Sequence, residues 1–260
     1  MKQHQIAIKI EDLVAGYGKT VILENLNFEV FKGEIFVIIG GSGCGKSTLL
    51  KHMIGLLPPV SGKVIILGKD LASATSTAKN SILQNIGVAF QSGALFGSMT
   101  VMENIKLPLM EFTRLPDSAI ENIVQMKLQL VGLEKSAYLM PGELSGGMKK
   151  RAALARAMAL DPSIIFLDEP SAGLDPVTSA ELDYLIKDLA SSLGITFVIV
   201  THELASIDAI SDRIIMLEKT TKGIIATGTP DQLKQDKQNP HVYNFFNRNH
   251  SNPNTDKGKK

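Results

Sequence analysis

Gly40-Gly41-Ser42-Gly43-Cys44-Gly45-Lys46-Ser47-Thr48 decides the fold. The stretch follows the apolar run Ile35 to Ile39 and opens a helical pattern, Lys46 to Ile54, so the spacing G-x-x-x-x-G-K-[ST] stands between a strand and a helix. Glycines here let successive backbone N–H groups turn inward at phosphate oxygens, and the helix that follows adds the positive end of its dipole. Lys46 is then placed to bridge β- and γ-phosphates, and the Ser47 hydroxyl to ligate Mg²⁺. At Cys44 the backbone N–H is expected to matter. Its thiol has two readings: a small packing group, which is preferred, or a helix-terminal thiol of lowered pKa whose oxidation blocks binding.

Two more β-branched runs, Ser163 to Leu167 and Ile195 to Thr201, share with Glu34 to Ile39 the two-sided hydrophobicity of strands buried in a parallel sheet. Ile6 to Ile10, Val21 to Val30, Lys63 to Leu67, Ile86 to Phe90 and Arg213 to Leu217 are further strand candidates. Helical patterns run over Met148 to Leu160 and, after Asp175-Pro176, over Val177 to Leu193. Strands alternating with helices predict an α/β fold whose ligand lies beyond the carboxyl ends of the strands. Between about Gly93 and Asp161 the strand signal disappears, and Asp117 to Val131 carries apolar residues near a 3.6 spacing. An inserted helical subdomain is expected there.

Asp168 ends the run Ile164-Ile165-Phe166-Leu167, which puts a carboxylate at a strand tip beside the phosphate loop, where a second Mg²⁺-holding acid is needed. Glu169 follows on the opposite side of an extended chain, placed to face the γ-phosphate and to orient or deprotonate the attacking water.

Composition narrows the partners. Of 260 residues, 44% are hydrophobic and 20% charged, which excludes a disordered, collagen-like or disulfide-scaffold chain. Lys plus Arg (27) and Asp plus Glu (26) leave a net charge of +1, and there is no Trp. With neither a basic field nor stacking platforms, no nucleic-acid partner is expected. The single cysteine allows no intrachain disulfide and suits a reducing compartment. Apolar stretches fall short of the ~20 residues that span a bilayer, and no signal-peptide core is expected ahead of the fold. Any membrane role is therefore expected to run through a partner or the surface. From about Asp236 the chain turns polar, and the final ten residues are expected to be disordered. Before them Val242, Tyr243, Phe245 and Phe246 form a small apolar cluster.

Leu144-Ser145-Gly146-Gly147-Met148 resembles the signature motif of ATP-binding cassette (ABC) proteins. Gln91 matches the family's Q-loop, Ser171-Ala172-Gly173-Leu174-Asp175 its D-loop, His202 its switch histidine, and Tyr17 in Gly16-Tyr17-Gly18 its adenine-stacking aromatic. The resemblance covers about residues 6–235. It implies a P-loop NTPase (RecA-like) core with a helical subdomain inserted at about 93–161, and a C-terminal extension over 236–260. In this family two domains pair head to tail, the signature of one closing on ATP held by the phosphate loop of the other. One copy of each motif means that this chain needs a second copy of itself or a paralogue. Ser145, Gly146 and Gly147 open a helix, so their N–H groups suit a γ-phosphate. The resemblance further implies that Gln91 reaches Mg²⁺ or the attacking water, that His202 bonds the γ-phosphate, and that Asp175 belongs to the nucleotide site. For Tyr17, stacking and ordinary packing both stay open. Met148 replaces the commonest glutamine of the signature, which removes a polar side chain near the nucleotide and puts the rate of turnover in question.

Phe90-Gln91-Ser92-Gly93-Ala94-Leu95-Phe96 with Met99-Thr100-Val101-Met102-Glu103-Asn104, and Leu139 to Met148, are similar to the ATPase subunit of the Mla and Mce phospholipid transport systems. That implies ATP hydrolysis powering phospholipid movement between inner and outer membrane, with the chain peripheral on the cytoplasmic face of the inner membrane. Its partners would be an integral membrane permease (MlaE-like), docked through the groove at the Q-loop, and a lipid-binding Mce-domain protein. His241 to Phe246 looks like an extension that reaches the neighbouring subunit in that ATPase; packing on its own domain is the other reading. The alternatives are a cassette ATPase for another substrate, such as a small polar solute, and a soluble cassette protein, which the near-zero charge and the single cysteine disfavour.

Overall fold

The structure, a computed structural model, describes residues 5–247. The expected disorder of the final ten residues lies outside them. The first half of the chain forms β1 (Ile6–Tyr17), β2 (Thr20–Phe31), β3 (Ile35–Gly40), α1 (Lys46–Met53), β4 (Ser61–Ile66), β5 (Lys69–Asp70), α2 (Ser76–Leu83), β6 (Ile86–Ala89), α3 (Val101–Phe112) and α4 (Asp117–Leu130). The second half forms α5 (Gly146–Ala157), β7 (Ile164–Asp168), α6 (Pro176–Leu193), β8 (Thr196–Val200), α7 (Leu204–Ile210), β9 (Arg213–Glu218), β10 (Gly223–Gly228), α8 (Pro230–Lys234) and α9 (Pro240–Asn247).

Two sheets result. The larger runs β10-β9-β3-β8-β7-β6, parallel except for β10 at its edge. The smaller runs β2-β1-β4-β5 and is antiparallel. Every residue of β3 and β8 is buried, because both faces of the parallel sheet are covered. Val37, Ile39, Ile165, Leu167, Phe197 and Ile199 face the helical side. Their neighbours Phe36, Ile38, Ile164, Phe166, Val198 and Val200 face the antiparallel sheet. This alternation is the period-two geometry of a strand applied to two cores at once. Truncating fully buried Phe36, Phe166 or Phe197 to alanine would cost about 3–5 kcal/mol.

β1 runs seven residues beyond the expected Ile6 to Ile10. Its register shifts near Asp12, which sits at φ 45° and pairs with Asn27 through two 2.9 Å hydrogen bonds. The bulge bends the strand without ending it. Between β6 and β7 lie α3, α4 and α5, packed through Ile105, Leu109, Ile120, Val124, Leu128 and Leu154. α3 starts on a capping box, Thr100 with Glu103. Just inside that cap, the buried Asn104 accepts from Phe96 N–H at 2.8 Å and donates to the carbonyls of Phe96, Met99 and Thr100. The segment that leads from the strands into the helices is thereby fixed. α9 packs on its own domain through buried Val242 and Phe246. Among the described residues no helix is long and apolar enough to cross a membrane.

Candidate nucleotide site

α1 begins at Gly45, which holds φ 105° and offers no side-chain cap, so the N–H groups of the first turn are left for a ligand. A Cβ at Gly45 would stand 2.9 Å from Leu23, so glycine is required by space as well as by conformation. The loop lines a cavity of about 700 Å³ with Gly40–Gly43 and Gly45–Thr48. Ile22, Gln91, Glu169, His202 and Phe245 complete the wall. Lys46 arches over the loop and donates to the Gly40 and Gly41 carbonyls at 2.8 and 3.1 Å.

Why Gln91, Glu169 and His202 converge follows from sheet order. β6, β7 and β8 are parallel neighbours, with Ala89 opposite Leu167 and Asp168 opposite Val200, so the residues leaving their carboxyl ends emerge together beside the loop after β3. Glu169 takes φ 48°, its N–H donates to the Val200 carbonyl at 2.8 Å, and its Oε1 lies 2.8 Å from His202 Nδ1. Asp168 sits behind the wall. Burial pushes its carboxyl above the usual range, the neighbouring Glu169 adds to this, and Lys46, Lys51 and Lys150 oppose it. Asp168 Oδ1 and Glu169 Oε2 are buried with no hydrogen-bond partner. The orphaned Asp168 oxygen beside a hydroxyl-bearing phosphate loop fits Mg²⁺, which takes one or two carboxylates together with phosphate oxygens, and the orphaned Glu169 oxygen is left for water.

Other expected site residues lie off this wall. Tyr17 is exposed; its hydroxyl meets Thr48 Oγ1 and Lys51 Nζ, each at 3.4 Å, so it flanks α1. Cys44 is buried under the loop, and burial pushes its thiol pKa up, which overturns the reactive-thiol reading and leaves packing. Ser145 caps α5, its Oγ accepting from Met148 N–H at 3.3 Å, with Gly146 and Gly147 as the first helical residues. Asp175 caps α6, accepting from Val177 and Thr178 N–H, both at 3.1 Å, and from the Thr178 hydroxyl at 2.6 Å. None of these capping residues touches the chain's own cavity.

Two cations escaped sequence reasoning. Lys150 Nζ, on α5, donates to the Gln91 and Glu169 carbonyls at 2.6 and 3.0 Å. Arg156, one and a half turns further on, donates to the Ala94 and Gly93 carbonyls at 2.8 and 2.9 Å. The available signal was a basic set, Lys149-Lys150-Arg151 and Arg156, on a helix otherwise rich in buried alanine. Phe245 was noticed as part of an apolar cluster, but its place on the cavity wall was not.

A phosphate loop opening a helix, an acid pair at the tip of β7 and a serine-capped glycine signature define an ATPase of the cassette class. Residues 23–172 match the family model described as ABC transporter, and the chain belongs to that family. It is 42% identical, over 89% of its length and 87% of the relative's, to the intermembrane phospholipid transport system ATP-binding protein MlaF of Haemophilus influenzae. It is also 42% identical, over 93% of its length and 69% of the relative's, to the probable ribonucleotide transport ATP-binding protein mkl of Mycobacterium leprae. Among solved structures it resembles the ATP-binding cassette MJ0796 in a dimeric post-hydrolysis state bound to ADP and Pi, with TM-score 0.77, 30% identity, and coverage of 86% of this chain and 98% of that one. The chain is thus an ABC ATPase that binds ATP, and ATPases of this family act as dimers with membrane permeases.

Proposed function

We propose that this chain hydrolyses ATP to power phospholipid transport between the inner and outer membranes and so maintains lipid asymmetry. The observation that carries the reading is 42% identity along nearly the whole length of an intermembrane phospholipid transport ATPase. The stretches Phe90 to Phe96 and Met99 to Asn104, which lead from the nucleotide cavity into the helices, add the motif resemblance to that subfamily.

Within this reading the cassette spans 6–235, with the helical subdomain at 93–161 and an extension from 236. The loop from Gly40 to Thr48, Cys44 N–H included, cradles the phosphates, Lys46 bridges β and γ, and Tyr17 flanks the base. Ser47, Asp168 and Gln91 would hold Mg²⁺, which when bound withdraws charge from the phosphate oxygens. Glu169 takes the proton of the attacking water, and His202 fixes the Glu169 carboxylate and bonds the γ-phosphate. Ser145, Gly146, Gly147 and Asp175 serve the cavity of a second copy, since they lie off their own. The assembly contains two copies of the chain, an MlaE-like permease seated at the Q-loop groove and an Mce-domain lipid-binding protein, with the ATPase peripheral on the cytoplasmic side of the inner membrane. The mycobacterial relative's name gives the competing reading, a different cargo on the same motor.

The test is capture of tagged Glu169→Gln, loaded with ATP, from detergent-solubilised native membranes, followed by mass spectrometry. A permease with an Mce-domain protein supports lipid transport. A permease of another kind moves the cargo, and capture of no membrane protein removes the transport reading.

A further inference from the structure

Lys150 lies in the first turns of the helix that Ser145 caps, yet its side chain ends elsewhere. Its ammonium reaches the Gln91 carbonyl at 2.6 Å and the Glu169 carbonyl at 3.0 Å, joining the signature helix to the segments that leave β6 and β7. Both carbonyls belong to residues whose side chains line the nucleotide cavity. Partial burial lowers the lysine pKa, and the carboxylates of Glu169 and Asp168 oppose that shift without cancelling it.

Glu169 needs such a contact. At φ 48° a non-glycine residue sits in a strained conformation that its surroundings must offset. Three backbone contacts hold it: its N–H to the Val200 carbonyl at 2.8 Å, its carbonyl to Ala172 N–H at 3.2 Å, and its carbonyl to Lys150. The first two come from the strand ends and the adjoining turn. Lys150 alone reaches Glu169 from the helix that presents the signature, and it is the one charge-assisted bond of the three. The same ammonium fixes the backbone of Gln91, so two cavity side chains take their placement from one point.

We propose that Lys150 is a positioning residue for hydrolysis: from the signature helix it holds the backbones of Gln91 and Glu169 in a single arrangement, and thereby aims the Glu169 carboxylate. This rests on Glu169 being the base. It also gives the signature helix a mechanical hold on the chain's own catalytic end while its cap serves the second copy.

The experiment measures steady-state ATP hydrolysis and thermal melting of the full chain as wild type, Lys150→Met, Lys150→Arg, Glu169→Gln and the Lys150→Met/Glu169→Gln double variant. Lys150→Met is expected to lower kcat about tenfold or more, with KM for ATP within about twofold and melting unchanged, since a misplaced base costs rate without costing binding. Lys150→Arg, which keeps donors for both carbonyls, recovers most of the rate. The double variant is no slower than Glu169→Gln, because Lys150 acts through Glu169. Turnover of Lys150→Met within twofold of wild type overturns the proposal. So does an equal loss in Lys150→Arg and Lys150→Met with lowered melting, which marks mere support of the fold. Should Lys150→Met not fold, Lys150→Gln, which keeps a donor and most of the stem, carries the same comparison. Full activity of Glu169→Gln would sink the assignment of the base, whereas its loss beside an active Lys150→Met sinks only the role of Lys150.

Discussion

His202 Nδ1 and Glu169 Oε1 stand 2.8 Å apart, each on the residue pair that leaves the carboxyl end of a parallel strand. The contact uses one carboxylate oxygen and leaves Oε2 buried and unpartnered, so histidine orients the carboxylate and the other oxygen is kept for water or a ligand. Glu169→Gln should reduce kcat by about 10²–10⁴ and His202→Ala by a smaller factor, with ATP binding retained in both. Because the two act as a unit, the double variant should be little slower than Glu169→Gln alone. Hydrolysis rates beside equilibrium binding of a fluorescent ATP analogue decide this, and multiplicative losses would separate the two residues.

The signature and α6, the helix that follows the D-loop, meet at a contact that tolerates no added carbon. A Cβ on Gly147 would lie 2.4 Å from Thr178 Cγ2, on the helix that Asp175 caps. Gly147→Ala should destabilise the chain by about 1–3 kcal/mol, as overpacking does. Adding Thr178→Ser should restore most of that, since serine removes the offending methyl and keeps the hydroxyl that donates to Asp175 at 2.6 Å. Denaturant midpoints of the single and double variants provide the measurement, and additive losses would place the strain elsewhere.

What the sequence made legible was contiguous. The phosphate loop, its flanking strand and helix, and Asp168-Glu169 each write their chemistry into a few consecutive residues, and β3, β7 and β8 announce themselves because both faces of each are buried. What escaped depends on distance. Lys150 finds Gln91 across 59 positions and Glu169 across 19. β1 continues through Asp12 only because Asn27 satisfies the bulge. β1, β2 and β4 carry strand patterns, but nothing local to them says that they leave the parallel sheet for one of their own. Asp175 reads as a loop carboxylate until the start of α6 shows its oxygens engaged as a cap. Tyr17 fits a stacking position by motif, and nothing in its glycine turn shows that its hydroxyl meets Thr48 and Lys51 on the flank of α1.

Cys44 is 2% exposed, and burial raises its thiol pKa against the opposing charge of Lys46. A thiol that is neither accessible nor ionised is a poor nucleophile. Native protein at pH 7–8 should therefore resist iodoacetamide for hours, while protein unfolded in urea reacts at once, as intact mass will report. Rapid single labelling of the native chain would mean that the loop opens on that timescale.

Asp183 supplies a test of linkage away from the cavity. It lies on α6, 4% exposed, with Oδ1 lacking any partner. Burial pushes its carboxyl above the ordinary 3.8, with the charge of Glu203 acting in the same direction and the Ser206 hydroxyl opposing both. The folded chain thus holds this proton more tightly than the unfolded one. The stability tied to that proton is complete below the unfolded pKa and is lost as pH rises through the folded value. Asp183→Asn abolishes the titration while keeping the shape. Whatever the fixed offset between the two proteins, the stability of wild type minus that of Asp183→Asn must fall as pH is raised from about 4 to about 8. Urea unfolding of both at several pH values in that window measures the difference. A difference that rises with pH would show that the buried carboxyl is stabilised as an anion, and that the Ser206 hydroxyl outweighs the cost of taking the charge out of water; one that stays flat would show that folding does not shift the carboxyl.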